Sequence, residues 1–169
     1  MDKKEADWEK NDITDQIDYS RYYGGAGCSF FRCANVLDNT KGIYDELKNV
    51  YYKYPAQLPP LKWLDDAVPE APSEIKVRKE NNELELTWDV PEGKSDSLSY
   101  TVYYAINDSV DTQTSSHMLA TGVRGNSFRL PLTDETERMY SFCVTSSTRY
   151  RIESKPSKET IYYLLPYEK

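Results

Sequence analysis

The sequence has little cysteine and little histidine. Among 169 residues there are three cysteines and one histidine. Cys28, Cys33 and Cys143 do not have the spacing of a metal site. Cys28 and Cys33 lie in one extended run, where an extended backbone points their side chains apart, so a disulfide between them is disfavoured. We therefore predict three free and mostly buried thiols.

Positive charge and long apolar runs are also scarce. The chain has 21 Lys and Arg against 28 Asp and Glu, a net charge of -7 and a pI near 4.8. A protein that follows phosphates needs a basic face, so nucleic acid and anionic membranes are not expected partners. No apolar run approaches the roughly 20 residues of a membrane span. Residues 1–5 are polar with no apolar run behind them, so we expect no signal peptide in this chain.

The residue sets of common enzyme and metal sites are missing. His117 stands in a Ser-Ser-His stretch without a matching cysteine or acid, which indicates a solvated loop residue rather than a triad or a zinc site. The glycines of residues 24–27 have no strand before them and no Gly-Lys-Ser/Thr after them, so they are not a phosphate loop. The acidic tracts 65–66 and 134–137 lack the calcium-loop pattern. We therefore predict no catalytic, cofactor-binding or metal-binding residues in this chain.

What the sequence does have is a series of short alternating segments between Glu83 and Pro166. Each places apolar or aromatic residues at every second position, which gives a strand one buried and one wet face. Turn residues separate the segments, and such a series predicts a small, mainly β sandwich. The segments are Leu84–Trp88, Tyr100–Tyr104, Phe128–Leu132 and Tyr140–Val144.

The N-terminal third has a different pattern. Residues 2–22 predict a helix that Asp12 or Thr14 caps, and residues 42–52 predict a second helix that Asp38 caps. Between them, residues 28–34 are mostly apolar, as in a strand of a parallel sheet that is covered on both sides. The order helix, strand, helix is a piece of an α/β unit, and a single buried strand cannot hide its own two edges. We therefore expect this strand to pair with another copy, or this segment to pack on the sandwich.

A proline-rich arm connects the two parts. Pro55, Pro59 and Pro60 exclude a helix interior and favour an extended chain. We expect Trp63 and Leu64 to attach this arm to an apolar surface. Residues 68–73 are a linker into the first strand of the sandwich.

Tyrosine is the most enriched aromatic residue, with 15 copies. Tyrosine often fills the half-buried face of a sheet, and this is the favoured interpretation. The alternative is a platform on which sugar rings stack.

A set of residues between 69 and 166 follows a known pattern: Pro69, Pro72, Trp88, Tyr100, Val102, Tyr103, Phe142, Val144, the 153–157 loop, Leu132 and Tyr140. With these residues, the segment 69–166 resembles a fibronectin type III domain. Leu132 and Tyr140 fit the tyrosine corner of the family, in which the phenol bonds back to the chain upstream. The region between 105 and 126 departs from the family pattern, because it has no clear middle strand.

A second set of residues, in the N-terminal part, also follows a known pattern: Asp15–Ile17, Arg21, Gly27, Phe30–Arg32, Gly42, Leu47, Tyr51, Tyr52, Tyr54–Ala56, Leu58, Pro59 and Trp63–Asp65. With these residues, the segment 1–66 resembles the end of the bacterial family-10-like glycosyl hydrolases, which are (β/α)8 barrel proteins. The resemblance implies helix 7, strand 8, helix 8 and the arm that leaves the barrel, followed by a fibronectin type III-like domain over residues 67–169. It also implies a Bacteroides-like source and a periplasmic, cell-surface or secreted location.

The resemblance implies that the catalytic acids lie on barrel strands upstream of this chain. Glycoside hydrolysis needs two carboxylates that face one bond. Residues 32–35 follow Phe31 and would lie near the substrate face of an intact barrel, and they include no carboxylate. We therefore expect no enzyme activity from this chain, which would be an accessory or spacer domain that braces the barrel. Its expected partners are that barrel, glycans, and a second copy bound through the N-terminal segment. The alternatives are an adhesion-type interaction domain and a carbohydrate-binding module that uses Tyr103, Tyr150 and Tyr162–Tyr163.

Overall fold

The protein is mostly β, with two antiparallel sheets and few helices. The computed structural model describes residues 8–25, 27–31, 33–90, 97–133 and 136–165. The chain forms two compact units, residues 1–53 and 54–169. The proline-rich arm therefore makes its contacts with the sandwich. The boundary at residue 66, which the family resemblance places between the barrel end and the fibronectin type III-like domain, stays a prediction.

The first unit is a small helical cluster. It contains α1 (Lys10–Tyr22), α2 (Cys33–Leu37) and α3 (Ile43–Glu46), and α3 continues into a wider helical turn, Leu47–Tyr51. The predicted helix over residues 2–22 forms from Lys10 to Tyr22, whereas Trp8 and Glu9 before it are not helical. The predicted helix over residues 42–52 forms from Ile43 to Tyr51. The first keeps Ile17 on its buried face, and the second keeps Ile43 and Leu47 on its own.

The starts of these helices differ from the sequence-based prediction. At α1, the carboxylate of Asp12 accepts a hydrogen bond of 2.7 Å from the Glu9 backbone N–H, so Asp12 closes the first turn from inside the helix. At α3, Asn39 Oδ1 accepts bonds from the N–H groups of Tyr44 at 2.9 Å and Asp45 at 3.3 Å. The cap is therefore Asn39 and not Asp38, whose side chain is exposed. Asn39 has φ near 50°, a conformation that asparagine tolerates better than most residues.

The strand predicted over residues 28–34 is not formed. Residues 28–31 have no regular structure, and Cys33 begins α2. Phe31 is 94% exposed, and the partly buried members of the helical core come from Trp8, Ile13, Val36 and Tyr51 instead. The physical reason is that a single strand cannot satisfy its own backbone. The described residues of this unit include no strand that could bond it, so a helix that bonds itself forms in part of the segment.

The described residues of the second unit form seven antiparallel strands in two sheets. The three-stranded sheet has the order β1-β2-β5, and the four-stranded sheet has the order β4-β3-β6-β7. The strands are β1 Ser73–Glu80, β2 Glu83–Asp89, β3 Ser99–Ile106, β4 Met118–Val123, β5 Ser127–Pro131, β6 Arg138–Ser147 and β7 Thr160–Leu164.

The core lies between the two sheets and follows the alternation read from the sequence. Leu84, Leu86 and Trp88 of β2 are buried on one face, and they pack in one cluster with Val102 of β3 and Phe142 of β6. Inward pairs such as Val102 and Val144 stand opposite each other across β3 and β6. Fully burying such side chains stabilises a fold by about 1.5 to 3 kcal/mol each. This cluster is therefore the main source of stability of the unit.

The sandwich also contains a strand that the sequence did not predict. β4 (Met118–Val123) pairs with β3, with Ala120 opposite Val102 and Met118 opposite Tyr103. The expectation of no middle strand between 105 and 126 was wrong. Shifts in the β3–β4 register interrupt the regular alternation, which explains why periodicity alone did not find the strand.

Candidate functional site

The proline-rich arm lies along the sandwich and is held by several hydrogen bonds. The N–H of Leu61 donates to the Tyr150 carbonyl at 2.9 Å. The hydroxyl of Ser146 donates to the Glu70 carbonyl at 2.6 Å. Trp63 is 75% exposed and Leu64 is also exposed, so the expectation that these two side chains attach the arm was wrong. The arm is attached through polar groups instead.

Gln57 makes the central attachment. Its side-chain nitrogen lies 3.0 Å from Thr101 Oγ1, 3.1 Å from Tyr103 Oη and 2.8 Å from Glu153 Oε1. The amide has two hydrogens, so it can donate to two of these three acceptors at a time. We call the group formed by Gln57, Thr101, Tyr103, Thr145 and Glu153 the Gln57 clasp. Thr101 and Tyr103 come from β3, and Glu153 comes from the loop between β6 and β7.

The acceptor at the centre of the Gln57 clasp is the Glu153 carboxylate. Its Oε1 also accepts from Tyr103 Oη at 3.0 Å and from Thr145 Oγ1 at 2.5 Å. Burial, and then the charge of Glu153, raise the pKa of Tyr103, so its phenol keeps its proton and acts as a donor. Hydrogen bonds to an ionised acceptor are stronger than neutral ones. The Gln57 clasp therefore fixes the arm to the sheet at one defined place.

The outer face of β3 and β6 is unusual because it is buried and polar. Thr101 stands opposite Thr145, and Tyr103 stands opposite Cys143. All four are buried. Sequence reasoning missed Gln57, because a single glutamine in a proline-rich arm looks like a solvated residue. The sequence did contain one signal, which is that Thr101 and Tyr103 on the second face of β3 are uncharged. An exposed strand face in an acidic protein usually carries charge, so this face could have been predicted to be covered.

The tyrosines proposed as a sugar platform do not form one. Tyr103 is 1% exposed, under Gln57, and Tyr162 packs partly against the core. Tyr150 is half-buried, with the Arg149 guanidinium 4.5 Å above its ring. Of this set, only Tyr163 is largely exposed, at 64%. A stacking platform needs several accessible faces in one plane, so Tyr103 does not serve the alternative of a sugar platform. Its burial agrees with the favoured interpretation, in which tyrosine fills a sheet face.

The three cysteines are free, but they are not mostly buried. Cys28 and Cys33 are exposed, and only Cys143 is buried. Burial, followed by the charges of Glu159 and Glu153, raises the pKa of the Cys143 thiol to about 12. A thiol with such a pKa is a poor nucleophile at neutral pH.

The other polar residues singled out in the sequence have structural contacts. His117 lies in the short turn Ser115–His117, and its Nδ1 accepts from the Asp111 N–H at 3.0 Å. Asp65 Oδ1 accepts from the Ala67 N–H at 3.0 Å. Arg32 and residues 134–135 lie outside the described residues. Within the described ranges, no group of three or more His, Cys, Asp or Glu side chains could hold a metal ion.

Two grooves flank the arm on the sandwich. One is lined by Asp65 and residues 67–69, by Arg124, and by the turn from Thr148 to Tyr150, and has a volume of about 540 Å³. The other lies between residues 56–58 of the arm and the sheet, and has a volume of about 280 Å³.

Comparison with known proteins relates the chain to glycosyl hydrolases. It is 31% identical over 137 residues to the glycosyl hydrolase YngK of Bacillus subtilis, and the match covers 79% of this chain and 26% of that protein. The chain thus spans about a quarter of the length of this curated relative. No protein-family model matches the chain.

A comparison of structures gives a partial overlap with a family 28 exopolygalacturonase of Yersinia enterocolitica. The TM-score is 0.44 at 14% identity, over 59% of this chain and 21% of that one.

Among the described residues, no helix is long and apolar enough to cross a membrane.

Proposed function

We propose that this chain is a non-catalytic accessory region of a carbohydrate-active glycosyl hydrolase. The observation that carries the proposal is the 31% identity to one quarter of a bacterial glycosyl hydrolase. In this proposal residues 67–169 are a fibronectin type III-like domain, and residues 1–66 are the end of a catalytic barrel and the arm that leaves it. The whole protein acts outside the cytoplasm, where polysaccharides are found.

The accessory role is a mechanical one, and the Gln57 clasp supports it. A brace must fix the direction in which the chain enters the domain, and a flexible linker cannot do so. Here the arm is bonded at Gln57, Leu61 and Glu70, so the chain from 57 to 70 has one path on the sheet. Pro59 and Pro60 lie inside that path and stiffen it further.

The non-catalytic part is tested by incubating the purified chain with plant, host and bacterial polysaccharides and measuring new reducing ends. Full-length YngK is the comparison under the same conditions. We expect no release from the chain. Release that depends on an acidic residue of this chain would overturn the non-catalytic assignment.

The bracing part is tested by ¹⁵N relaxation of the arm. We expect the Gln57, Leu58 and Leu61 amides to have order parameters near the rigid value of about 0.85. Gln57→Ala should lower them toward about 0.6, because the central bond to the sheet is removed. Leu58→Ala is the matched control, since Leu58 is exposed. An arm that is already mobile in the wild-type chain would exclude a brace.

The adhesion-type alternative has one supporting observation. Ile161 and Tyr163 of β7 and Leu165 beyond it alternate along the chain and are exposed. A patch of this kind marks an interaction surface only when it is contiguous and large. The test is sedimentation of the chain with and without Ile161→Ser and Tyr163→Ser. Self-association that these changes abolish would favour this alternative over the brace.

A further inference from the structure

The smaller groove beside the arm has a lining suited to a polar ligand. Its floor is the outer face of the four-stranded sheet, one wall is residues 56–58, and the other is the turn after β6. Its volume of about 280 Å³ is suited to one sugar ring rather than to a long ligand. The lining residues are Ala56, Gln57, Leu58, Ser99, Thr101, Thr121, Gly122, Ser147, Thr148 and Arg151.

Five of these residues carry hydroxyl groups, and the strand pairing brings them together. Ser99 stands opposite Ser147 across β3 and β6. Thr101 Oγ1 lies 3.4 Å from Thr121 Oγ1 on β4. A hydroxyl can both donate and accept, so a row of hydroxyls matches a ligand that is itself a polyol. None of the described residues that line the groove is aromatic, so the recognition they offer is by hydrogen bonds and not by stacking.

Arg151 is the one charged side chain among the described residues that line the groove. Its backbone is held by a tight turn, in which the Arg151 N–H donates to the Thr148 carbonyl at 2.9 Å. Thr148 Oγ1 accepts from the N–H of Ile152 at 3.2 Å. Arg151 has φ near 64°, and residues in such rare conformations persist where the surroundings fix them. No ion pair of Arg151 is found among the described residues, although the chain has a net charge of -7.

We propose that this groove binds a sugar unit that carries a carboxylate, a uronic acid residue. The carboxylate binds Arg151, because a planar guanidinium can donate two parallel hydrogen bonds to a carboxylate. The ring hydroxyls bind the row formed by Ser99, Thr121 and Ser147. The proposal goes beyond the bracing role, which requires no ligand.

The ligand classes are separated by titrating ¹⁵N-labelled chain with three kinds of compound. Glucuronate and galacturonate have both hydroxyls and charge, glucose and galactose have the hydroxyls alone, and acetate has the charge alone. We expect saturable shifts at the amides of Thr121, Gly122 and Arg151 with the uronates, and at least about tenfold weaker binding of the other two classes.

Two variants assign the binding to the groove. Arg151→Gln should weaken uronate binding at least about tenfold and bring it to the level of the neutral sugar. Thr121→Val, at an exposed position of β4, should weaken both sugar classes. Arg149→Gln is the matched control, because Arg149 is two residues away but lines the other groove. A circular dichroism spectrum checks that each variant is folded.

Three results would overturn the proposal. The first is acetate binding as tightly as the uronates, which would make the groove a general anion site. The second is a loss of binding in Arg149→Gln and not in Arg151→Gln. The third is the absence of shifts at the groove with any uronate. None of these alters the order of the arm, so the bracing role is judged separately.

Discussion

The hydroxyl of Tyr103 donates to the Glu153 carboxylate at 3.0 Å, across the outer face of the sheet. Three residues before Tyr103 on the same strand, the hydroxyl of Tyr100 is buried with no hydrogen-bond partner among the described residues. The two phenols thus have the same chemistry and opposite environments. Tyr103 joins the arm to the sheet, and Tyr100 fills the core.

This contrast predicts opposite effects of one substitution. Tyr103→Phe removes a donor to a charged acceptor, so we expect the free energy of unfolding to fall by about 1.5 to 3 kcal/mol. Tyr100→Phe removes an unsatisfied buried hydroxyl, so we expect no loss, or a gain of up to about 1 kcal/mol. Urea denaturation of the two variants measures both values. An equal loss in both would show that the Tyr100 hydroxyl also makes a stabilising hydrogen bond.

The cysteines should differ sharply in reactivity. Cys28 and Cys33 are exposed, whereas Cys143 is 3% exposed with a pKa of about 12. We expect a thiol-specific reagent such as DTNB to modify two thiols of the native chain at pH 8, and the third only after denaturant is added. Cys143→Ala should leave the native count at two. Reaction of all three thiols in the native chain would show that the outer face of the sheet opens readily.

Stability should decrease at alkaline pH. Cys143 and Tyr103 both have a raised pKa in the folded state, relative to ordinary values of 9.0 and 10.0. Above those ordinary values the unfolded chain loses protons that the folded chain retains, so the free energy of unfolding falls as pH rises. We expect a slope of about 1.4 kcal/mol per pH unit for each group, from pH 9 for Cys143 and from pH 10 for Tyr103.

Denaturation midpoints at pH 8, 9, 10 and 11 measure this slope. Cys143→Ala should remove the part of the slope that begins at pH 9. Tyr103→Phe should remove the part that begins at pH 10. A slope that neither variant changes would place the titrating groups elsewhere in the chain.

The cap that Asn39 provides at the start of α3 is also testable. Asn39→Gly keeps a backbone that accepts φ near 50° but removes the oxygen bonded to Tyr44 and Asp45, so the free energy of unfolding should fall by roughly a few tenths of a kcal/mol. Asp38→Ala, one residue away, should have little effect because that side chain is exposed. Amide hydrogen exchange at Tyr44 reports the difference. Faster exchange in Asp38→Ala than in Asn39→Gly would show that Asp38 caps the helix, as the sequence predicted.

The parts of the fold that follow from local pattern were predicted correctly. The alternation in β2 and β6 gave the inward faces of Leu84, Trp88 and Phe142, because one side of each strand must be apolar to form the core. The helices around Ile17 and Ile43 followed from helical spacing in the same way. In these segments the sequence itself carries the periodicity of the structure.

The parts that depend on a distant neighbour were not predicted. The apolar run at Phe30 and Phe31 has the composition of a strand, but a strand also needs a partner for its backbone. The Gln57 clasp joins Gln57 to Glu153, 96 residues apart, and no local pattern connects them. The hydroxyl row of the groove depends on the register between strands, which alternation does not specify completely.

The burial of β3 and β6 on both faces has a practical consequence for dividing this protein into modules. A shortened chain that begins at residue 67, where the resemblance places the domain boundary, would lack Gln57 and Leu61. It would expose the ring of Tyr103 and the outer face of β6, which carries Cys143, to solvent. The Glu153 carboxylate would also lose the hydrogen bond from Gln57. A chain that begins at residue 54 keeps the cover of its own sheet and is the natural unit for recombinant expression.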